Sequence, residues 1–527
     1  MPRIVSAQDA VRHIPDGAVV AVNSSSGLNC PDAVLQAMGE RFEAENQPKN
    51  LTMIHPIAAG DMFGIKGIGH ISRPGQIARI IGGSYPSGPS SSEPPLIWQM
   101  ITGNEIPAYN VPSGIIFDLM REAAAKRPGV ITKVGLDTFV DPRNEGCAMN
   151  EKATVQKIVR KIDFDGEEWL YFPVITPRVS IIRGSISDRR GNLSFEQEGA
   201  YLGAMELALA AHNNGGIVIA QVRKTVENDT IQAHSVHVPG ILIDYIVETP
   251  DQWQTTQTPY DAAISGEERR PLESFPVMEF GTGKAIARRV AQELEPGWAV
   301  NLGFGVSANV PRIFIEEGLH GNCTWVLEQG PVGGVPLLEF QFGCSSNAEA
   351  FVPSSYQFTY FQAAGFDCSL LSFLQIDSSG SVNVSKLGAR PHVTAGAGGF
   401  VDITARAKRI VYSGFFNAGA KMEIVDGKLR IGQEGKVKKL VKEVEQISFS
   451  GRRGVAQGQD VNYVTERCVL KLSREGIVVT EIAPGVELQS NILDQCEFPL
   501  IVSPQLKMMD RALFLPTKMG LTLRTRN

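Results

Sequence analysis

A carboxylate stands at the end of an apolar run in Trp325-Val326-Leu327-Glu328-Gln329-Gly330-Pro331-Val332-Gly333-Gly334. Trp325 to Leu327 reads as the end of a buried strand, and a Gly/Pro-rich turn follows at once. Stripping water from a carboxylate at such a place is costly unless partners offset the loss. With glycines that let a ligand approach the backbone, Glu328 fits a nucleophile, a base or a ligand-binding group. Taken by itself, the segment also fits a strand-terminal acid that points into solvent.

Other segments add to the choice. Gly303-x-Gly305-x-x-Ala308 follows an apolar strand and precedes a helix, the layout of a dinucleotide-binding turn. Glu328 lies 25 residues after Gly303, near the ~20-residue spacing at which an acid holds an adenosine ribose. A nicotinamide-dependent oxidoreductase is therefore one function these residues would serve. Ala395-Gly396-Ala397-Gly398-Gly399-Phe400-Val401-Asp402 is a third glycine-rich element, able to aim backbone N–H groups at an anion or a developing oxyanion, or to make only a tight turn. Glu279-Phe280-Gly281-Thr282-Gly283-Lys284 fails as a P-loop, because Met278 takes the leading glycine position and Ala285 replaces the magnesium-holding Ser/Thr. His234 and His237 lie in an extended context with no adjacent cysteine or acid, and no metal site is expected.

The elements around these residues repeat. A helix from Ser6, a Pro15-Asp16-Gly17 turn, a strand Ala18 to Val22, a small-residue loop Asn23 to Gly27 and a helix from Pro31 return as a helix from Ile286, a Pro296-Gly297 turn, a strand Trp298 to Leu302, a loop Gly303 to Ser307 and a helix near Pro311. Gly17 and Gly297, like Pro31 and Pro311, are 280 positions apart. Asp188-x-x-Gly191 and Asp377-x-x-Gly380 both read as turns entering strands. Strands alternating with helices at this spacing imply a mainly parallel sheet covered by helices. The expected fold is α/β, two related open-sheet domains from an internal duplication, over 1–270 and 271–527. Thr249 to Pro276, polar and aperiodic, is expected to be a surface connection.

Composition narrows the partners. The 527 residues are 43% hydrophobic and 20% charged, with a net charge of -6 and no basic stripe, which argues against nucleic acid. Seven scattered cysteines with no C-x-x-C pair argue against zinc and against a disulfide framework, and fit a reducing cytosol. No apolar run approaches the ~18–20 residues that span a bilayer, so a cytoplasmic protein without a membrane partner is expected.

Longer motifs carry a resemblance. Ala108-Tyr109-Asn110, Val134 to Arg143, His212 to Val218, Asn301-Leu302-Gly303, Gly333-Gly334-Val335-Pro336, Gly396 to Asp402 and Thr465-Glu466-Arg467-Cys468 together make the whole chain similar to the family I CoA-transferases, the acetate, propionate and 3-oxoacid enzymes with both half-domains on one polypeptide. The resemblance implies Glu328 as the covalent nucleophile, oxyanion contacts from Gly398 and Gly399, and coenzyme A, as substrate, bordered by Gly303, Phe304, Gly305, Val306 and Ser307. It implies ping-pong exchange of CoA between an acyl-CoA and a carboxylic acid, with no metal, in a homo-oligomer. A homologue that binds acyl-CoA without turnover is the remaining alternative. The chain departs from the family's usual residues at Ser113, at Gly82 to Tyr85, at Gln362 to Asp367 and in the serine-rich Asn23 to Asn29 loop. These segments are expected to border the acyl pocket.

Overall fold

Val19–Val22 and Ala299–Leu302, short apolar runs between a turn and a small-residue loop, are strands buried on both faces at the centre of two separate ten-stranded sheets. The computed structural model describes residues 1–64, 66–87, 93–388 and 390–523. In the first sheet the order runs Arg3–Val5, Tyr245–Glu248, Ile217–Val226, Val179–Asp188, Val19–Val22, Leu51–His55, Ile77–Gly82 and Ala108–Asn110, each neighbouring pair parallel. In the second, Asp460–Val464, Arg409–Ser413, Cys368–Ser372, Ala299–Leu302 and Thr324–Val326 form the matching parallel core. Antiparallel strands extend that core on both sides. The expected pair of open α/β sheets is what the chain forms.

Register sharpens the duplication. Val19, Val20 and Ala21 pair with Thr52, Met53 and Ile54, whereas Ala299, Val300 and Asn301 pair with Thr324, Trp325 and Val326. Counting onward from these equivalent pairs, Pro56 occupies in the first half the position that Glu328 occupies in the second.

The two halves share their cores. Ile57 and Phe117 of the first half sit in the cluster built by second-half residues such as Leu302, Trp325 and Phe358, while Ala397 and Val401 of the second half sit in a first-half cluster. The connection from Thr249 to Pro276 differs from expectation. Gln252, Gln254 and Thr255 are buried. Gln252 Nε2 donates to Gly184 O at 2.9 Å and Gln254 Nε2 to Gln197 O at 2.9 Å. Its polar side chains satisfy buried backbone, so low hydrophobicity there does not mean exposure. Among the described residues, no helix is long and apolar enough to cross a membrane.

Candidate active site

Glu328 lies just past Thr324–Val326, whose Trp325 packs edge-on against Phe314 with centroids 5.2 Å apart. Asn301, fully buried on the neighbouring strand, donates to Val326 O at 3.2 Å and accepts from Ser369 Oγ at 3.0 Å, tying three strands together one turn before the acid. The chain then reverses. Gly330 N–H donates to Leu327 O at 3.0 Å, and Leu327 N–H donates to Pro331 O at 3.1 Å. Gly330 has φ +121° with Val352 O where a Cβ would stand, so this turn requires glycine. Glu328 is thereby held at the apex of a tight turn at a strand end.

Its carboxylate has few partners. Gln329 Nε2 lies 3.3 Å from Oε1. The Gly399 N–H also reaches the carboxylate, and a Cβ built on Gly399 would collide with Oε2 and with the Phe358 ring. Half-buried at its surface but packed about by protein, Glu328 is pushed up to about 7 by loss of water, the Gly399 hydrogen bond opposing the shift.

The glycine loop is fastened to the other half. Asn110 Oδ1 accepts from Ala397 N–H at 2.8 Å while its Nδ2 donates to Gly83 O at 2.6 Å and Gly82 O at 3.2 Å. Gly398 N–H donates to Gly83 O at 2.8 Å, Ser113 N–H to Gly398 O at 3.0 Å and Tyr85 N–H to Ala395 O at 2.7 Å. Behind the loop, Asp402 is fully buried, accepting from Gly114 N–H at 3.0 Å and from Gln362 Nε2 at 2.9 Å. Burial raises it to about 8, and the nearby Asp118 and Glu328 charges add to the rise.

Glu328 opens into a cavity of about 370 Å³ between the halves. Gly303, Phe304, Gly398 and Gly399 line it with Glu328; Gly305, Val306 and Ser307 continue behind the wall, Ser307 being fully buried. Of the segments expected at the acyl pocket, Ser25, Ser26, Ser84 and Tyr85 are in the wall. Ser113 and Gln362 are not: the first is buried against Gly83, the second is turned toward Asp402. The local pattern gave no sign of Thr256, Phe340 and Phe342 in the wall, or of Asn110 as the clasp on the loop, although Asn110 belongs to one of the quoted motifs.

Comparison with known proteins bears on the arrangement. The family profile described as coenzyme A transferase matches residues 4–249. A caffeate CoA-transferase of Acetobacterium woodii is 40% identical over 98% of this chain and 98% of its own length. The chain is a CoA-transferase. An acetate CoA-transferase, YdiF, of Escherichia coli strain K12 is 37% identical to this CoA-transferase over 99% of the chain and 96% of the relative. The separate acetate CoA-transferase subunit alpha of the same strain is 25% identical over 46% of this CoA-transferase and 96% of the subunit. Among solved structures, the acyl-CoA transferase YdiF apoenzyme of Escherichia coli O157:H7 matches this CoA-transferase with a TM-score of 0.92 at 37% identity, over 99% of this chain and 98% of that one. Its thioester complex with CoA matches with 0.91 at 36% identity, over the same shares.

Proposed function

We propose that this CoA-transferase exchanges CoA between an acyl-CoA and a free carboxylate through covalent intermediates on Glu328. The observation that carries the reading is the Glu328 carboxylate itself, held on a strand-end turn in the cavity wall, short of partners and raised to about 7. A basic but still ionisable carboxylate with little solvent around it is suited to attack a carbonyl carbon. A Glu328 oxygen adds to the thioester carbonyl, the C–S bond breaks, and an acyl-glutamyl anhydride and CoA thiolate result. The thiolate attacks Glu328 Cδ and expels the first acid, leaving a Glu328–CoA thioester. The incoming carboxylate reverses both steps and leaves with CoA, so Glu328 is regenerated and no water is consumed.

Gly399 N–H is positioned to hold the oxyanion that forms at Glu328 Cδ, and a donor of this kind typically contributes ~2.7–4 kcal/mol to the transition state. Gly398 N–H is already engaged by Gly83 O, so its part is to set the loop. CoA enters along Gly303 and Phe304, with the Gly305 to Ser307 backbone supporting that turn. The domains are 1–270 and 271–527. We place the enzyme in the cytoplasm as a homo-oligomer: all seven cysteines are unpaired thiols, and the edge strand Ile501–Met508 exposes Ile501, Val502 and Met508 where copies would pair.

The test is Glu328→Ala, with mass spectrometry of the wild-type peptide after incubation with acetyl-CoA alone. Transfer is expected to vanish in the variant, and wild-type Glu328 is expected to carry CoA. Undiminished transfer by the variant, or an unmodified wild-type peptide, would sink the reading. Glu328→Asp, with its carboxylate withdrawn by one methylene, is expected to be badly impaired.

A further inference from the structure

Three helices, Ser113–Ala124, Ser354–Gln362 and Phe400–Thr404, meet around one carboxyl group. Asp402 lies in the first turn after Gly399 and is fully buried, its Oδ2 accepting from Gly114 N–H and its Oδ1 from Gln362 Nε2. The approach is so close that position 114 must be glycine. A Cβ there would stand 2.5 Å from Asp402 Oδ1 and 2.8 Å from Gln362 Nε2. The glycine loop is thus fastened to the first half on both sides of Gly399, by Asn110 at Ala397 and by Asp402 at Gly114.

We propose that Asp402 is a positioning residue for CoA transfer: its clasp on Gly114 sets the Gly399 N–H against Glu328, and it serves in its uncharged form. The inference rests on the reading of Glu328 as the covalent centre. The groups around Asp402 favour that form. From Ser113–Ala124 it meets Asp118, which lies 3.5 Å from Gln362 Nε2 and is paired with Arg121. From Ser354–Gln362 it meets the Gln362 amide, which does not ionise, and across the glycine loop it meets the charge of Glu328. Among the described residues Arg121 is the cation of this group, and Asp118 holds it. Burial, with the charges of Asp118 and Glu328 added, raises Asp402 to about 8, above the value of about 7 for Glu328. Between those two values Glu328 carries a charge while Asp402 keeps its proton, and the oxyanion at Glu328 Cδ forms against a neutral support. At higher pH a fixed negative charge stands behind the Gly399 N–H and opposes the charge that develops in front of it.

The experiment follows formation of the Glu328–CoA adduct in the full-length enzyme mixed with acetyl-CoA alone, by rapid quench and mass spectrometry, from about pH 6 to about pH 9.5. The wild-type rate is expected to peak between about pH 7 and about pH 8 and to fall at least about fivefold by about pH 9.5. Asp402→Asn keeps the shape, with the Gln362 amide turned to meet it, but cannot ionise. It is expected to keep the acid limb and lose the alkaline one. An alkaline limb that survives in Asp402→Asn overturns the proposal. Gln362→Leu removes a bond that favours the ionised acid, so the alkaline limb is expected to move to higher pH; an unmoved limb assigns it to another group. Asp402→Ala also releases the clasp, and is expected to slow adduct formation at least about tenfold at about pH 7.5, most of which Asp402→Asn recovers. A rate equal to wild type removes the clasp from the explanation. Where the alanine variant does not fold, the asparagine profile decides alone. Absence of the wild-type adduct at every pH removes the covalent reading, whereas an adduct whose rate holds level on the alkaline side removes only the part given to Asp402.

Discussion

At Glu328 and Gly399, side chain and backbone compete for the same space. Alanine at 399 puts a methyl group where Glu328 Oε2 and the Phe358 ring lie, so the carboxylate must move. Gly399→Ala is expected to lower kcat about 100-fold, the usual cost of misplacing a reacting group by an ångström, with the far-ultraviolet circular dichroism unchanged. Ionisation gives a second prediction. With its carboxyl raised from the ordinary 4.5 to about 7, Glu328 is largely protonated below neutrality. The rate with limiting acyl-CoA is therefore expected to fall about tenfold per unit on the acid side of pH 7, as a pH–rate profile would record. The same shift acts on stability. Below about pH 4.5 both folded and unfolded chains hold the proton, and the site carries no charge penalty. Between there and about 7 the unfolded chain releases its proton first, so stability from this group is lost as pH rises. Glu328→Gln, which cannot ionise, is expected to melt above wild type at pH 8, with the difference closing toward pH 4.5; equal melting temperatures at both pH values would contradict the shift.

The loop from Ala395 to Gly399 owes its position to a strand end in the other half, and Asn110 makes three of the bonds involved. Asn110→Ala leaves the Ala397 N–H and the Gly82 and Gly83 carbonyls without that partner in a buried place. The expected loss is about 1–3 kcal/mol in chemical denaturation, together with a fall in kcat as Gly399 drifts from Glu328. Elements of this size were legible in sequence where their cues were local. The strand Ala299–Leu302, its glycine turn and the helix at Pro311 announce themselves by an apolar run, a break and a proline at a helix start. The place of Glu328 at a strand end was legible for the same reason, whereas its role came only from the resemblance. Asn110 and Thr256 were not legible, because they approach from more than seventy positions away in the chain and no periodicity links them to the acid; Tyr85 was placed near the pocket only by the resemblance. Gln362, expected at the acyl pocket, ends a helix whose last turn faces Asp402 instead. The buried stretch after Thr249 was misread because its glutamines do the work of backbone partners, which hydropathy does not detect.

Across the molecule, the cavity exists only where the two sheets meet, and each half lends residues to the other's core. A relative of about half this length is a separate subunit. A chain divided between 270 and 271 and coexpressed as two polypeptides is expected to copurify through a tag on either piece and to transfer CoA, while each piece alone is inactive. Failure of the pieces to associate would place the boundary elsewhere. The register correspondence between Pro56 and Glu328 reaches further. One copy of the duplicated unit carries the carboxylate proposed to react, and its twin has proline at that position. Ser25, Ser26, Met62 and Tyr85, which shape the wall, all belong to that twin. Mutation can therefore explore new acids in one half of the gene while the reaction is inherited intact in the other, a division of labour that lets this scaffold diversify without first becoming inert.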